Sequence, residues 1–369
     1  MTHTKKHILN LDNARPCRGL SPGKVLVALA VTVLAVCTPL NAQQTTAGFE
    51  DWDAQQVGQG GNPAHTLSKE DLQNNRKTIY LTDNWQFKSG DSAAWARPEY
   101  DDSDWQRLST LLGKAEIPFI DWDGIGWFRL TIKVDSSLVD EPLALLPTMH
   151  HGASEVYLDG KKLYQMGRIN SNSANSSYYT DRLPRAIVFP DTNEHVLAVR
   201  YANHRASSFL EFGYNAGFRL LLGDLNHHIS RSVNEIENST RLFMILIGVL
   251  GAFALIHFLL FGFYPQNREH LFFAVFVGLL ALLGLTEYLG LHVHQPLLGI
   301  TWQRISLIIW LLTIIYALRF TYSLFYQKLP LWFWAFLAVG LTIAAFNWFQ
   351  PGTTWFYNSL FVALTLIEM

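Results

Sequence analysis

Trp127-Phe128-Arg129-Leu130-Thr131-Ile132-Lys133-Val134 alternates side chains with a period of two, placing Phe128, Leu130, Ile132 and Val134 on one face. That is the pattern of a half-buried β-strand, and the chain around it repeats the theme. Short runs bounded by turn residues occur at Ile79–Leu81, Leu143–Pro147, Ser154–Leu158, Ala186–Phe189, Val196–Tyr201 and Gly217–Leu222. Val156-Tyr157-Leu158-Asp159-Gly160-Lys161-Lys162-Leu163 reads as a hairpin, because Asp-Gly accepts the positive φ angles of a type I′ turn. No long amphipathic helix intervenes, which argues against a parallel α/β sheet. Residues 78–225 are therefore expected to form an all-β sandwich.

Downstream the pattern changes abruptly. Residues 43–240 hold 18 Lys+Arg against 26 Asp+Glu, whereas residues 241–369 hold five and three. Leu242–Phe263 is an uninterrupted apolar run of 22 residues, enough to cross a hydrocarbon core of about 30 Å. Similar runs follow at 271–291, 305–325 and 331–348. Trp302, Trp332, Trp334, Trp348 and Trp355 cluster near their ends as an interfacial belt. A fifth run, 355–369, reads as a helix begun and not completed, so a truncated chain is expected. With an exported, periplasmic amino-terminal domain the first and third separators between the apolar runs face the cytoplasm, and Arg268, Arg319 and Lys328 against Arg304 give a small bias of the right sign. Glu287, near the outer end of its helix, is expected to reach the headgroups, and His257 is the other ionisable group singled out within a span.

At the amino terminus, five basic residues precede the apolar run Val25–Val36 and the small residue Ala42. That order predicts an export signal over residues 1–42, with an uncleaved anchor as the alternative. Residues 43–77 form a polar linker in which Ser68-Lys69-Glu70-Asp71 starts one short helix. Residues 226–241 connect sandwich to membrane. The only cysteines, Cys17 and Cys37, lie in the leader, so the exported domain is expected to hold together by packing alone, without disulfides. A formal net charge of -2 excludes a basic nucleic-acid binder.

The aromatic residues divide the candidates. Trp122 lies between Asp121 and Asp123 in the loop Pro118–Gly126, where its ring can stack on a sugar while the carboxylates accept hydroxyl hydrogens. Truncating Trp122 to alanine should then weaken ligand binding without unfolding the domain. His150, His151, Arg168, Tyr178, Tyr179, Arg182, His204 and Arg205 are the other loop candidates, with a solvated loop or a contact with the membrane domain as the competing role. Adjacent histidines on a strand point to opposite faces, so neither a metal nor a cofactor is expected.

Four motifs carry a resemblance. Asn84-Trp85-Gln86-Phe87, Tyr100-Asp101-Asp102-Ser103-Asp104-Trp105, Gly126-Trp127-Phe128-Arg129 and Val156-Tyr157-Leu158-Asp159-Gly160 are similar to the sugar-binding, galactose-binding-like jelly roll of family 2 glycoside hydrolases. Trp85, Trp105 and Trp127 lie within these motifs, and the resemblance implies that they belong to the core. Catalysis in that family belongs to a separate barrel for which this chain has no room, so no enzyme is implied. The stretch Phe261–Phe276 and the architecture around it resemble bacterial seven-transmembrane receptors with diverse intracellular signalling modules. That resemblance implies the sensor portion of an inner-membrane receptor, with a periplasmic small-molecule or carbohydrate ligand, the lipid bilayer and a second copy of the chain as partners. The alternative is a membrane-tethered structural, adhesion or glycan-binding module without signalling.

Overall fold

The computed structural model describes residues 66–74, 78–114, 117–181, 183–325, 329, 331–349 and 361. The leader, most of the linker, Arg182 and the fifth apolar run apart from Phe361 lie outside the described residues. In chain order the β domain comprises β1 (Thr66–Leu67), α1 (Lys69–Asn74), β2 (Thr78–Leu81), β3 (Trp85–Ser89), β4 (Gln106–Leu108), β5 (Ile125–Val134), β6 (Leu143–Thr148), β7 (Ala153–Leu158), β8 (Lys161–Met166), β9 (Arg185–Ile187), β10 (Glu194–Ala202), α2 (Ala206–Glu211) and β11 (Arg219–Asp224). The helical region follows as α3 (Leu225–Phe263), α4 (Arg268–His292), α5 (Pro296–Phe325) and α6 (Leu331–Phe349).

Two sheets form the β domain. One runs β4-β3-β5-β10-β7-β8, with β1 added in parallel to β5, and the other runs β2-β11-β6-β9. All their other pairings are antiparallel. Phe128, Ile132 and Val134 of β5 meet Ile79, Leu145, Leu220 and Leu222 of the opposite sheet in one core, with Leu130 packed at its margin. The alternation read from β5 is therefore the alternation of its buried face. Asp159 and Gly160 have φ of 48° and 77°, as the hairpin turn requires.

The other face of β5 is also covered. Trp127 packs with Trp105, Ala96 and Ala198 in a second, smaller cluster. Its roof is the segment 92–105, which Arg129 holds in place. The Arg129 guanidinium, 2% exposed, donates to the Asp102 carboxylate at 2.6 Å and to the Trp95, Arg97 and Tyr100 carbonyls at 2.6, 2.9 and 3.2 Å. The Tyr100–Trp105 and Gly126–Arg129 motifs are thus two halves of one structural clamp.

Asp224 caps α3, its carboxylate accepting the His227 amide hydrogen at 2.7 Å. The residues 226–241 are helical and continuous with the first apolar run, giving a helix of 39 residues. Of these, 225–241 rise about 25 Å before the apolar run begins. His228 anchors this upper part to the sandwich through Thr78, with 3.1 Å between Nε2 and Oγ1. Three helices, α3 to α5, are long and apolar enough to cross a membrane, and α6 is a shorter apolar helix. The chain is a membrane protein with an antiparallel β domain ahead of its helices.

One expectation is corrected. Glu287 does not reach outward to headgroups; it is 6% exposed between α4 and α5. Helix α4 needs only a small rotation to choose between these placements, which an apolar pattern uniform around the helix does not encode.

Candidate ligand-binding end of the sandwich

Strand register shows where the candidate residues lie. Ala202 pairs with both Ile125 and Ala153, Ser154 with Met166, and Thr148 with Arg219. The start of β5, the ends of β6, β8 and β10, and the starts of β7 and β11 therefore share one end of the sandwich. Trp122, Asp121, Asp123, His150, His151, Arg168, Tyr178, Tyr179, His204 and Arg205 all belong to the loops at that end. Arg182 lies outside the described residues.

Asn203 organises this end. Fully buried, it donates its amide nitrogen hydrogens to the Ala216 carbonyl at 2.7 Å, and its backbone N–H to Gly124 at 2.9 Å. Its carbonyl accepts the Trp122 indole hydrogen at 3.1 Å. The Trp122 ring also packs against Phe87 and Tyr201, with centroids 6.1 and 6.2 Å away. Trp122 is consequently half-buried and structural on one face, not a free platform. Asp123 accepts from the Ile125 amide at 3.2 Å, and both Asp121 and Asp123 are exposed. Gly124 has φ of +106°, and a β-carbon there would stand 2.1 Å from His204 Nδ1, so only glycine fits beneath that imidazole.

The histidines differ in kind. His150 is buried against Tyr201 with its Nε2 2.9 Å from Ser154 Oγ; burial, then the neighbouring His151, lower its pKa to about 3. His151 is half-buried, stacks on Phe209 and meets the Asn215 carbonyl at 2.7 Å; burial lowers its pKa to about 4. Both are neutral core groups at pH 7. His204 meets the Asn170 carbonyl at 2.9 Å while its backbone N–H donates to the Tyr178 hydroxyl at 2.8 Å. Trp122, Tyr178 and His204 are thereby gathered around Asn203, with Arg168 and Arg205 exposed beside them. Among the described residues, no group of three or more His, Cys, Asp and Glu could hold a metal.

This end also meets the helices. The Thr180 amide donates to the His294 carbonyl at 2.7 Å, His294 Nδ1 lies 3.0 Å from the Thr180 carbonyl, and the Tyr179 ring stacks on the His294 imidazole at 5.2 Å. Nearby, the Tyr214 hydroxyl donates to Gln303 of α5, and Arg304 lies over the Phe212 ring at 4.3 Å. Burial pushes the Tyr214 phenol up to about 12, so it remains a donor across the ordinary pH range. Three residues further along α5, Ser306 donates to Thr286 at 2.9 Å, the residue before Glu287. Tyr179 therefore takes the competing role named for it, a contact with the membrane domain. Asn203 and Tyr214 were not singled out from the sequence. The turn signal Gly213-Tyr214-Asn215-Ala216-Gly217 marks their neighbourhood, but only the fold reveals their partners.

No family model matches the chain, and no curated protein does. Among solved structures, a β-glucuronidase from Bacteroides uniformis is 22% identical with a TM-score of 0.30, over 40% of this chain and 18% of that one. A β-glycosidase from Bacteroides vulgatus is 20% identical with a TM-score of 0.27, over 40% and 20% of the two chains. A β-glucuronidase from an uncultured Clostridium sp. is 15% identical with a TM-score of 0.28, over 40% and 29%. The chain thus spans less than a third of each of these structures, and such likeness carries nothing about substrate or activity.

Proposed function

We propose that this chain is the sensing portion of a bacterial membrane receptor, in which an exported galactose-binding-like jelly roll takes a small ligand, carbohydrate by class, and passes the event to the helices. One observation carries the reading: the candidate loops occupy the same end of the sandwich that contacts the helices, through Thr180–His294 and Tyr214–Gln303. A ligand that orders Tyr178, His204 and Arg205 acts two residues from Thr180 and, through the Asn203–Ala216 hydrogen bond, two residues from Tyr214; it shifts the helices if it binds one arrangement of the junction more tightly. The resemblance to seven-transmembrane receptors with intracellular signalling modules supports the same reading and assigns the output to a domain outside this sequence. The reading places the helices in the inner membrane with the sandwich in the periplasm, an orientation that the small charge bias supports in sign, and hydrolysis is not part of the proposal.

The test is hydrogen–deuterium exchange on the full chain in lipid nanodiscs against a panel of mono- and oligosaccharides. A binding sugar should protect residues 168–180 and 203–215 and alter exchange in the outer turns of α5. Protection confined to the sandwich would favour a tethered glycan-binding module without signalling. No change with any sugar would overturn the carbohydrate assignment.

A further inference from the structure

We propose that the sandwich itself sits in the bilayer surface, with Phe119 and Leu183 inserted among the lipids of the outer leaflet. The inference rests on the membrane placement of the helices and is independent of any ligand. Phe119 is 80% exposed and Leu183 52%, in a β domain whose other aromatics are largely packed. Local folding turns Phe119 outward. In the 3-10 turn Ile117–Phe119, Ile117 packs on the core and Ile120 is 9% exposed, which leaves Phe119 facing away between them.

Both residues flank the contact between sandwich and helices. The loop leading to Phe119 is laced to the start of β11, since the Ala216 and Gly217 amides donate to Leu112 and Leu111 at 3.0 and 2.8 Å. Ala216 is two residues from Tyr214, the partner of Gln303. Leu183 is three residues from Thr180, the partner of His294. The level of these contacts is set by Gln303 and Arg304, which immediately precede the apolar run 305–325, and by Trp348, whose ring lies 5.5 Å from the Arg304 guanidinium. An arginine and a tryptophan at the mouth of an apolar helix mark the headgroup region. Apolar side chains left uncovered at that depth meet lipid, and the seat is continuous with the sandwich–helix interface. Burying a phenylalanine there favours insertion, as at other interfacial anchors.

Nitroxide labels test the depth directly in full-length protein reconstituted in phosphatidylethanolamine/phosphatidylglycerol vesicles, with Cys17 and Cys37 replaced by serine. Labels are placed through Phe119→Cys, Leu183→Cys, Val188→Cys and Val249→Cys. Val188 is exposed at the far end of the sandwich, and Val249 lies on the uncovered face of α3. Collision with oxygen, which concentrates in lipid, should exceed collision with a water-soluble nickel chelate severalfold at 119, 183 and 249, and the order should reverse at 188. Water-like accessibility at 119 and 183, with 249 in lipid, overturns the seat while leaving the membrane reading intact. Protection from both reagents at 119 means that protein covers it, and also overturns the proposal. A water-like result at 249 overturns the membrane reading and the seat together.

Discussion

Acidification should unfold the sandwich from its helix-facing end, and His150 sets the size of the effect. In the folded chain this imidazole is buried beside Tyr201 and Ser154, and its pKa falls to about 3. In the unfolded chain it titrates near 6.5, so between pH 6.5 and 3 the unfolded state binds the extra proton and stability falls as pH falls. At pH 5 the gap of 1.5 units below the unfolded value corresponds to about 2 kcal/mol from His150 alone. Half-buried His151, lowered to about 4, adds a smaller loss in the same direction. His195 works the other way. Burial alone would lower its pKa, but Asp159 at 2.7 Å and the Asp191 carbonyl raise it overall, so its contribution is fully present below 6.5 and is lost as pH rises through its folded value. Between pH 7 and pH 5 the expected loss is therefore about 2 kcal/mol from His150, increased by His151 and opposed by His195. Urea unfolding of the full chain in nanodiscs, followed by near-ultraviolet circular dichroism, measures it. His150→Gln should flatten the pH dependence by about 2 kcal/mol even if it lowers stability at pH 7. A wild-type midpoint that does not move between pH 7 and pH 5 would refute the argument, as would a variant with the same pH slope as wild type.

Other substitutions probe the frame of the site. Arg129→Met strands Asp102 and three carbonyls, and should cost about 3–5 kcal/mol in thermal unfolding. Gly124→Ala drives a β-carbon into His204 at a positive φ and should cost about 2 kcal/mol; removing the ring with His204→Ala recovers only the steric part, which a double-mutant cycle reads out. Trp122→Ala, expected from the sequence to spare the fold, should instead cost about 2 kcal/mol because the indole packs on Phe87 and Tyr201. An unshifted melting temperature for Trp122→Ala would restore the ring to the role of a free platform.

The parts of the fold legible in the sequence are those whose periodicity is local. Seven strands fall where their short apolar runs put them, and the Asp159-Gly160 turn where its φ preference does. Strands β3 and β4 are harder to see, because Gln106-Arg107-Leu108 contributes a single apolar residue and gains its place by pairing with β3. The same limit applies to the candidate site. That its residues sit in loops follows from turn composition, but their gathering around Asn203 depends on pairings between strands far apart in sequence. Glu287 shows the third case: α4 is apolar on every side, so the sequence holds no cue to which side faces α5.

The unbroken α3 has a mechanical consequence. Among its 39 residues there is no proline, so the stretch fastened to the sandwich by His228 and Thr78 is the same rigid shaft that crosses the bilayer. Pivoted at Arg241, the arm down to Phe263 is about 33 Å long, and a lean of about 5° would carry its tip sideways by about 3 Å. The sandwich thus holds the shorter arm of a lever, about 25 Å, and the longer arm carries any lean, enlarged, to the opposite side of the membrane.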